Sequence, residues 1–372
     1  MRWGIVVAAG TAVAAAAGAA VLIVGRRVSR PAVGPGPQAG AVADSTLRVT
    51  AVGAREVTLT RTEAAARRGR YALEWPGGHA VVGAVLGGDP RTVTRRLEFT
   101  AGGELRAGTE VELSPRVLRG DPGSACGLDY MDVLVEGELG ELPAWYLPAL
   151  RGTWVIAVHG PGADRRQALP VLPVLRRLRL PALLVSLRGD QGAPASPDGL
   201  AHFGETEWRD VEAAIRFAKE HGAGRIVLYG WSMGATAVLW TAARSDYRDS
   251  LAGLVLDSPL LDLPAATRGL AVRSGVPAAL ARFAPVAAQG RSGVDLADFD
   301  RIALGADLTA VTLLLQSPQD AVAPFAAARR LAAARPDRVS LHTVADAGHA
   351  ELWNADPHGY EEALRRFLTP LL

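Results

Sequence analysis

The sequence predicts an α/β protein: a mostly parallel, doubly wound sheet with a lid insertion, preceded by a small β-rich unit and an N-terminal transmembrane helix. Three observations carry this prediction. From residue 153 to the C-terminus, short apolar runs alternate with helix-length segments, the pattern of a parallel sheet covered by helices on both faces. Residues 46–115 instead alternate apolar and polar side chains in short runs split by glycine-rich breaks, as half-buried antiparallel strands do. Gly4–Gly25 is 22 residues without a charge, bounded by Arg2 before it and by Arg26, Arg27 and Arg30 after it.

About 20 apolar residues span a bilayer, and a cleaved signal usually has a shorter apolar region. Residues 1–30 are therefore read as an uncleaved anchor in the cell membrane, with a signal cleaved among the small residues Ala14–Ala20 as the alternative. Three arginines after the span favour a cytoplasmic domain by the positive-inside rule. An N-terminal span commonly directs a large following domain outward, and the reading adopted is extracytoplasmic. Pro31, Gly34, Pro35, Gly36, Pro37 and Gly40 make residues 31–45 an extended stalk.

The β-rich unit, residues 46–125, takes its strands from Val57–Thr60, Tyr71–Trp75, Thr92–Phe99 and Thr109–Leu113. It presents no convergent polar cluster and reads as a packing module between the stalk and the main domain. A hairpin follows, Met131–Glu136 with Leu142–Leu147. The main domain, 126–372, takes strands from Thr153–Val158, Ala182–Leu187, Arg225–Tyr229, Leu251–Leu256, Val311–Gln316 and Arg338–Val344. Helices are expected over Ala168–Arg179, Glu205–Glu220, Met233–Ala243, Pro324–Ala334 and Pro357–Leu368. The strands at Leu251 and Val311 lie too far apart for one crossover helix, so about 260–304 is read as an insertion forming a lid.

Composition narrows the function. Forty basic and 38 acidic residues leave a formal charge of +2, which is no nucleic-acid footprint. A single cysteine, Cys126, excludes an intramolecular disulfide and a cysteine-based metal cluster. No cofactor and no metal are expected.

Gly230-Trp231-Ser232-Met233-Gly234 spells G-x-S-x-G between an apolar strand and a small-residue helix. The glycines leave room for a sharp turn that presents the serine hydroxyl as a nucleophile. Such a serine needs a base, an acid that orients the base, and donors for the oxyanion. The elbow serine is followed in the chain by its acid and then its histidine. His349 is the histidine after Ser232 that sits in a loop directly behind a strand; His342 falls inside a strand and His358 at a helix start. Asp320, in the loop after the Val311 strand, is the leading acid, with Asp257 and Asp346 as competitors. The oxyanion donors expected are the N–H of Met233 and one from His159-Gly160-Pro161-Gly162. Pro161 has no N–H, so Gly162 or Ala163 takes over, or the site has one donor fewer.

With His159-Gly160, Arg188-Gly189-Asp190, Glu207-Trp208-Arg209-Asp210, Gly230–Gly234, Asp257-Ser258-Pro259, Ser317–Pro324, Gly348–Trp353, Asn354 and Tyr360, the chain from Leu128 to Leu372 resembles serine hydrolases of the α/β-hydrolase superfamily. It is similar to the bacterial membrane-tethered members of the serine-aminopeptidase-like and prolyl-oligopeptidase-like branch. The resemblance implies an α/β-hydrolase fold and an acyl-enzyme on Ser232 of a small-molecule or lipid-like acyl substrate, a carboxylic ester by default. A peptidase of the same mechanism and a catalytically weak binding or scaffolding protein are the alternatives. Ala235 stands where the family's elbow has a third glycine, and Pro161 is the larger departure.

Overall fold

A computed structural model describes residues 46–372. The expected transmembrane helix and stalk lie outside these residues. Among the described residues no helix is long and apolar enough to cross a membrane.

Six strands form a closed antiparallel barrel: β1 (Thr46–Val52), β2 (Glu56–Thr60), β3 (Tyr71–Trp75), β4 (Gly78–Gly88), β5 (Thr92–Gly102) and β6 (Glu110–Ser114), in the order β1-β2-β5-β4-β3-β6. Alternate residues point inward, so Leu47, Val49, Val57, Leu59, Leu73, Val93 and Val111 fill the interior. Pairing of Thr46–Arg48 with Glu110–Glu112 closes the ring and leaves no free sheet edge.

The second sheet has eight strands in the order β14-β13-β12-β11-β9-β10-β8-β7. β7 (Met131–Gly137) and β8 (Gly140–Leu147) form the hairpin, and its turn is tighter than expected because Gly137 pairs directly with Gly140. β9 (Thr153–Val158), β10 (Ala182–Val185), β11 (Arg225–Trp231), β12 (Leu251–Asp257), β13 (Val311–Gln316) and β14 (Val339–Thr343) run parallel. β10 ends at Val185, earlier than its apolar run suggested, although the Ser186 N–H still donates to the Pro143 carbonyl of β8 in the same antiparallel register, 3.0 Å. The helix expected at Ala168–Arg179 begins as a 3₁₀ segment, Arg165–Val171, with Pro170 inside it, and turns α-helical only over Leu172–Arg177.

Both faces of this sheet are covered. Trp154, Ile156 and Val158 of β9 enter the core beneath the helices Trp208–Glu220 and Met233–Arg244. Val155 and Ala157 face the opposite core, with Tyr229, Trp231 and Tyr360. Between β12 and β13 lie four helices, Leu263–Arg273, Ala278–Ala281, Ala284–Ser292 and Leu296–Ala303. Ala271, Ala281 and Ala284 give this insertion a small core of its own.

Candidate active site

The site lies where strands β11, β13 and β14 end. β11 stops at Trp231 and the Met233–Arg244 helix starts at once, which leaves Ser232 at φ 53° and ψ −119°. That left-handed backbone is strained for a residue with a Cβ. Its amide is held by the Asp257 carbonyl at 2.9 Å. The flanking glycines are set by close approach. A Cβ on Gly230 would stand 2.5 Å from Cα of Ala235, and one on Gly234 would overlap the carbonyl oxygens of Val158 and His159.

Ser232 Oγ lies 2.7 Å from Nε2 of His349, and Nδ1 of His349 lies 2.8 Å from Oδ2 of Asp320. The Asp320 carboxylate is buried. Its Oδ1 accepts the N–H groups of Val322 and Ala323, both at 2.8 Å, and Oδ2 also accepts from Gln316 Nε2 at 3.2 Å. Burial disfavours its charge, but His349 and the two backbone donors outweigh burial and keep the carboxyl below its ordinary range. An ionised Asp320 can only accept, so Nδ1 of His349 carries the proton and Nε2 is free to accept from Ser232. Three residues that span 117 positions of the chain thus form one hydrogen-bonded chain.

The competing aspartates are elsewhere. Asp257, at the end of β12, accepts from the Tyr360 hydroxyl at 2.7 Å and the Ser258 hydroxyl at 2.8 Å rather than from His349. Asp346 is exposed, with φ 59°.

Pro161 takes its meaning from a turn. The Ala163 N–H donates to the Gly160 carbonyl at 3.2 Å, and Gly162 has φ 69°. Proline followed by a residue of positive φ within an i→i+3 bond is a type II turn, with Pro161 and Gly162 in the central positions each favours. Ala163 is therefore occupied. So is the Gly160 N–H, which donates to Gln167 Oε1 at 2.8 Å. Of the loop's amides considered as donors, Gly162 N–H is the one the turn leaves uncommitted, and Met233 N–H, at the first position of its helix, has no intrahelical acceptor.

His159 anchors this loop from below. Its Nε2 meets Asp190 Oδ2 at 2.6 Å and its Nδ1 meets the Gly160 carbonyl at 2.9 Å. Burial alone would lower its basicity, but Asp190 and the carbonyl reverse that and hold the imidazole above its ordinary value. Both ring nitrogens face acceptors, which requires the doubly protonated ring. Asp190 in turn accepts the Leu187 N–H at 2.7 Å. Next to it, Arg188 forms a buried bidentate pair with Asp210, 2.8 and 2.9 Å, that ties the Arg188-Gly189-Asp190 loop to the Trp208–Glu220 helix. A cleft at Met233 combines an apolar wall, from Pro161, Leu187, Leu200 and Ala201, with the polar groups of Arg188, Asp190, Ser196 and Glu207.

Sequence reasoning missed Gln316, Ser258 and Gln167, which position the acid, the histidine loop and the glycine loop. Ser258 and Gln316 were visible as polar residues ending apolar strands. Gln167 lies seven residues beyond its partner and had no signal.

Residues 155–363 match the alpha/beta hydrolase family, and residues 48–114 match a domain of unknown function, DUF8805. The uncharacterized protein Rv2307c of Mycobacterium tuberculosis is 28% identical over 244 residues, 64% of this chain and 79% of that protein. The biotin biosynthesis bifunctional protein BioHC of Cellvibrio japonicus is 29% identical over 58% of this chain and 48% of its own length. Among solved structures, the Pyrococcus furiosus esterase Pf2001 is similar with a TM-score of 0.56 at 20% identity, covering 69% of this chain and 96% of the esterase. A family match over more than half of the chain, on an eight-stranded sheet that carries a serine elbow, places it: the protein belongs to the alpha/beta hydrolase family.

Proposed function

We propose that the protein is a serine hydrolase that cleaves carboxylic esters through an acyl-enzyme on Ser232. The observation that carries this reading is the hydrogen-bonded chain Ser232–His349–Asp320 on a strained elbow. In the first step His349 Nε2 takes the Ser232 proton as Oγ attacks the ester carbonyl carbon. The resulting oxyanion faces the N–H groups of Met233 and Gly162. Asp320 stabilises the imidazolium without itself taking the proton. Collapse of the tetrahedral species expels the alcohol, which receives its proton from His349. Water then enters by the same route in reverse and releases the acid, leaving Ser232 protonated. No cofactor takes part in these steps.

The esterase similarity supports the fold on which such chemistry is common, and the ester preference rests on this proposal alone. The test is labelling by a fluorophosphonate probe alongside hydrolysis of acyl esters. Wild-type protein should be labelled on Ser232 and turn over; Ser232→Ala and His349→Ala should do neither. Labelling that persists in Ser232→Ala would refute the assignment.

A further inference from the structure

The loop that carries His349 is held from outside the hydrolase domain. Glu351, two residues after His349 and 2% exposed, accepts from the Tyr71 hydroxyl and from Arg67 Nη1, each at 3.3 Å. Three residues further, Asn354 is gripped on both sides. Its carbonyl accepts the Arg70 N–H at 2.8 Å, and its side-chain amide donates to the carbonyls of Arg70 and Pro115, both at 2.8 Å. The approach is close enough that a Cβ on Gly69, whose φ is 105°, would overlap the Asn354 carbonyl.

The barrel side of this contact is rigidly built. Arg95 is fully buried on β5 and donates to the carbonyls of Ala65, Arg67, Gly69 and Gly83 at 2.7–3.1 Å. Its guanidinium also stands over the Tyr71 ring, 5.4 Å from the centroid. One side chain therefore fixes the segment that delivers Arg67, Arg70 and Tyr71. The histidine loop needs such support. Asp346 and Ala350 flank His349 at φ 59° and 55°, conformations that a non-glycine residue holds only where surrounding contacts impose them. From the hydrolase side, Gln319 Oε1 accepts the Asp346 N–H at 2.9 Å and Ser258 Oγ accepts the Ala350 N–H at 3.2 Å. The barrel supplies the remaining side.

We propose that the N-terminal barrel is a clamp that keeps the His349 loop in catalytic register, with Arg67, Tyr71, Glu351 and Asn354 as positioning residues. This rests on His349 acting as the base of the proposed reaction. The barrel is then an integral part of the active site rather than the packing module that its sequence suggested.

The double variant Arg67→Met, Tyr71→Phe in the full chain removes both donors to Glu351 with little change in volume. Displacement of a reacting group by an ångström can cost about a hundredfold in rate, and loosening one of two supports should lower kcat by about tenfold with KM within about twofold of wild type. Arg67→Lys with Tyr71 intact should restore most of the rate. Val57→Ala, in the barrel core away from the loop, controls for loss of barrel stability. A double variant with unchanged kcat, or a Val57→Ala variant with the same loss of kcat, would overturn the clamp. The low-field proton resonance of His349 Nδ1–H reads the same coupling without turnover: it should broaden or shift in the double variant, and an unchanged signal would also overturn the proposal. Wild-type protein that neither hydrolyses esters nor is labelled at Ser232 would refute the hydrolase reading separately, and the resonance would still decide the clamp's physical part.

Discussion

Asp257→Asn should remove a pH dependence of stability that the wild-type carries between about pH 4 and pH 6. Asp257 is 1% exposed, and the two donors to its carboxylate, Tyr360 and Ser258, are neutral hydroxyls. The Tyr360 hydroxyl is bonded in turn to that of Tyr229. Burial pushes the carboxyl up from 3.8 to about 6, against the opposing pull of those hydroxyls and of His349, while nearby Asp320 adds to the rise. A rise of that size disfavours the buried anion by about 3 kcal/mol relative to the unfolded chain. The folded state therefore binds more protons than the unfolded state between the two values, and stability falls as pH rises. The contribution of the neutral acid is complete below the unfolded value and is lost as pH passes through about 6. Asparagine cannot ionise. Urea unfolding of both proteins at intervals from pH 4 to pH 8 should show the asparagine variant gaining about 2.5 kcal/mol on the wild type over that range. A difference between the two that does not change with pH would refute the reasoning.

Asp320→Asn should retain folding and lose about 10⁴-fold in kcat, because asparagine can donate to Nδ1 and hold the imidazole in the wrong tautomer; ester turnover near the wild-type rate would show that another carboxylate orients His349. Pro161→Ala should leave kcat unchanged or lower, since the type II turn loses pre-set geometry and about 0.4–1 kcal/mol of stability while Gly162 still supplies its N–H; a rise in kcat of about tenfold or more would mean that an N–H at position 161 is the stronger oxyanion donor. Gly234→Ala should cost about 3 kcal/mol or more in urea unfolding, because the new methyl meets the backbone oxygens of Val158 and His159, which cannot rotate away; wild-type stability would show that the elbow is looser than its contacts imply.

The parts of the fold and site that could be read from the sequence are those written in local pattern. The parallel strands and their helices appear as alternating runs, and Val311–Gln316 and Pro357–Leu368 fall where that alternation puts them. The elbow was legible because its two glycines answer a local steric demand. Choosing Asp320 over Asp257 required strand order, which the sequence expresses only indirectly. β12 and β13 are neighbours and both end in an acid-bearing segment, but β13 pairs with β14, and so its following loop lies beside the loop of His349. Pro161 left the loop's donor open for a different reason. Taken alone it removes a donor, and only the Gly160–Ala163 bond shows that it shapes a turn around Gly162.

Barrel closure and the clamp depend on partners that no local window contains: β1 meets β6 across the whole unit, and Tyr71 meets Glu351 from 280 residues away. Even so, one residue in the barrel announced that something had to come to it. In β5 the inward phase is Val93, Arg95 and Leu97, and an arginine in that phase must take its charge out of water. Among the described residues no carboxylate pairs with it; burial lowers its basicity, and peptide carbonyls accept the hydrogen bonds it makes there. A guanidinium can be buried in this way only if several acceptors converge on it, because each unmet donor would cost one or more kcal/mol. Those acceptors belong to residues 65–69 and to Gly83, so satisfying Arg95 folds the 65–69 segment down onto the barrel wall and leaves Arg67 and Tyr71 aimed outward at Glu351. The requirement that closes the barrel's interior is therefore the same one that shapes its grip on the histidine loop.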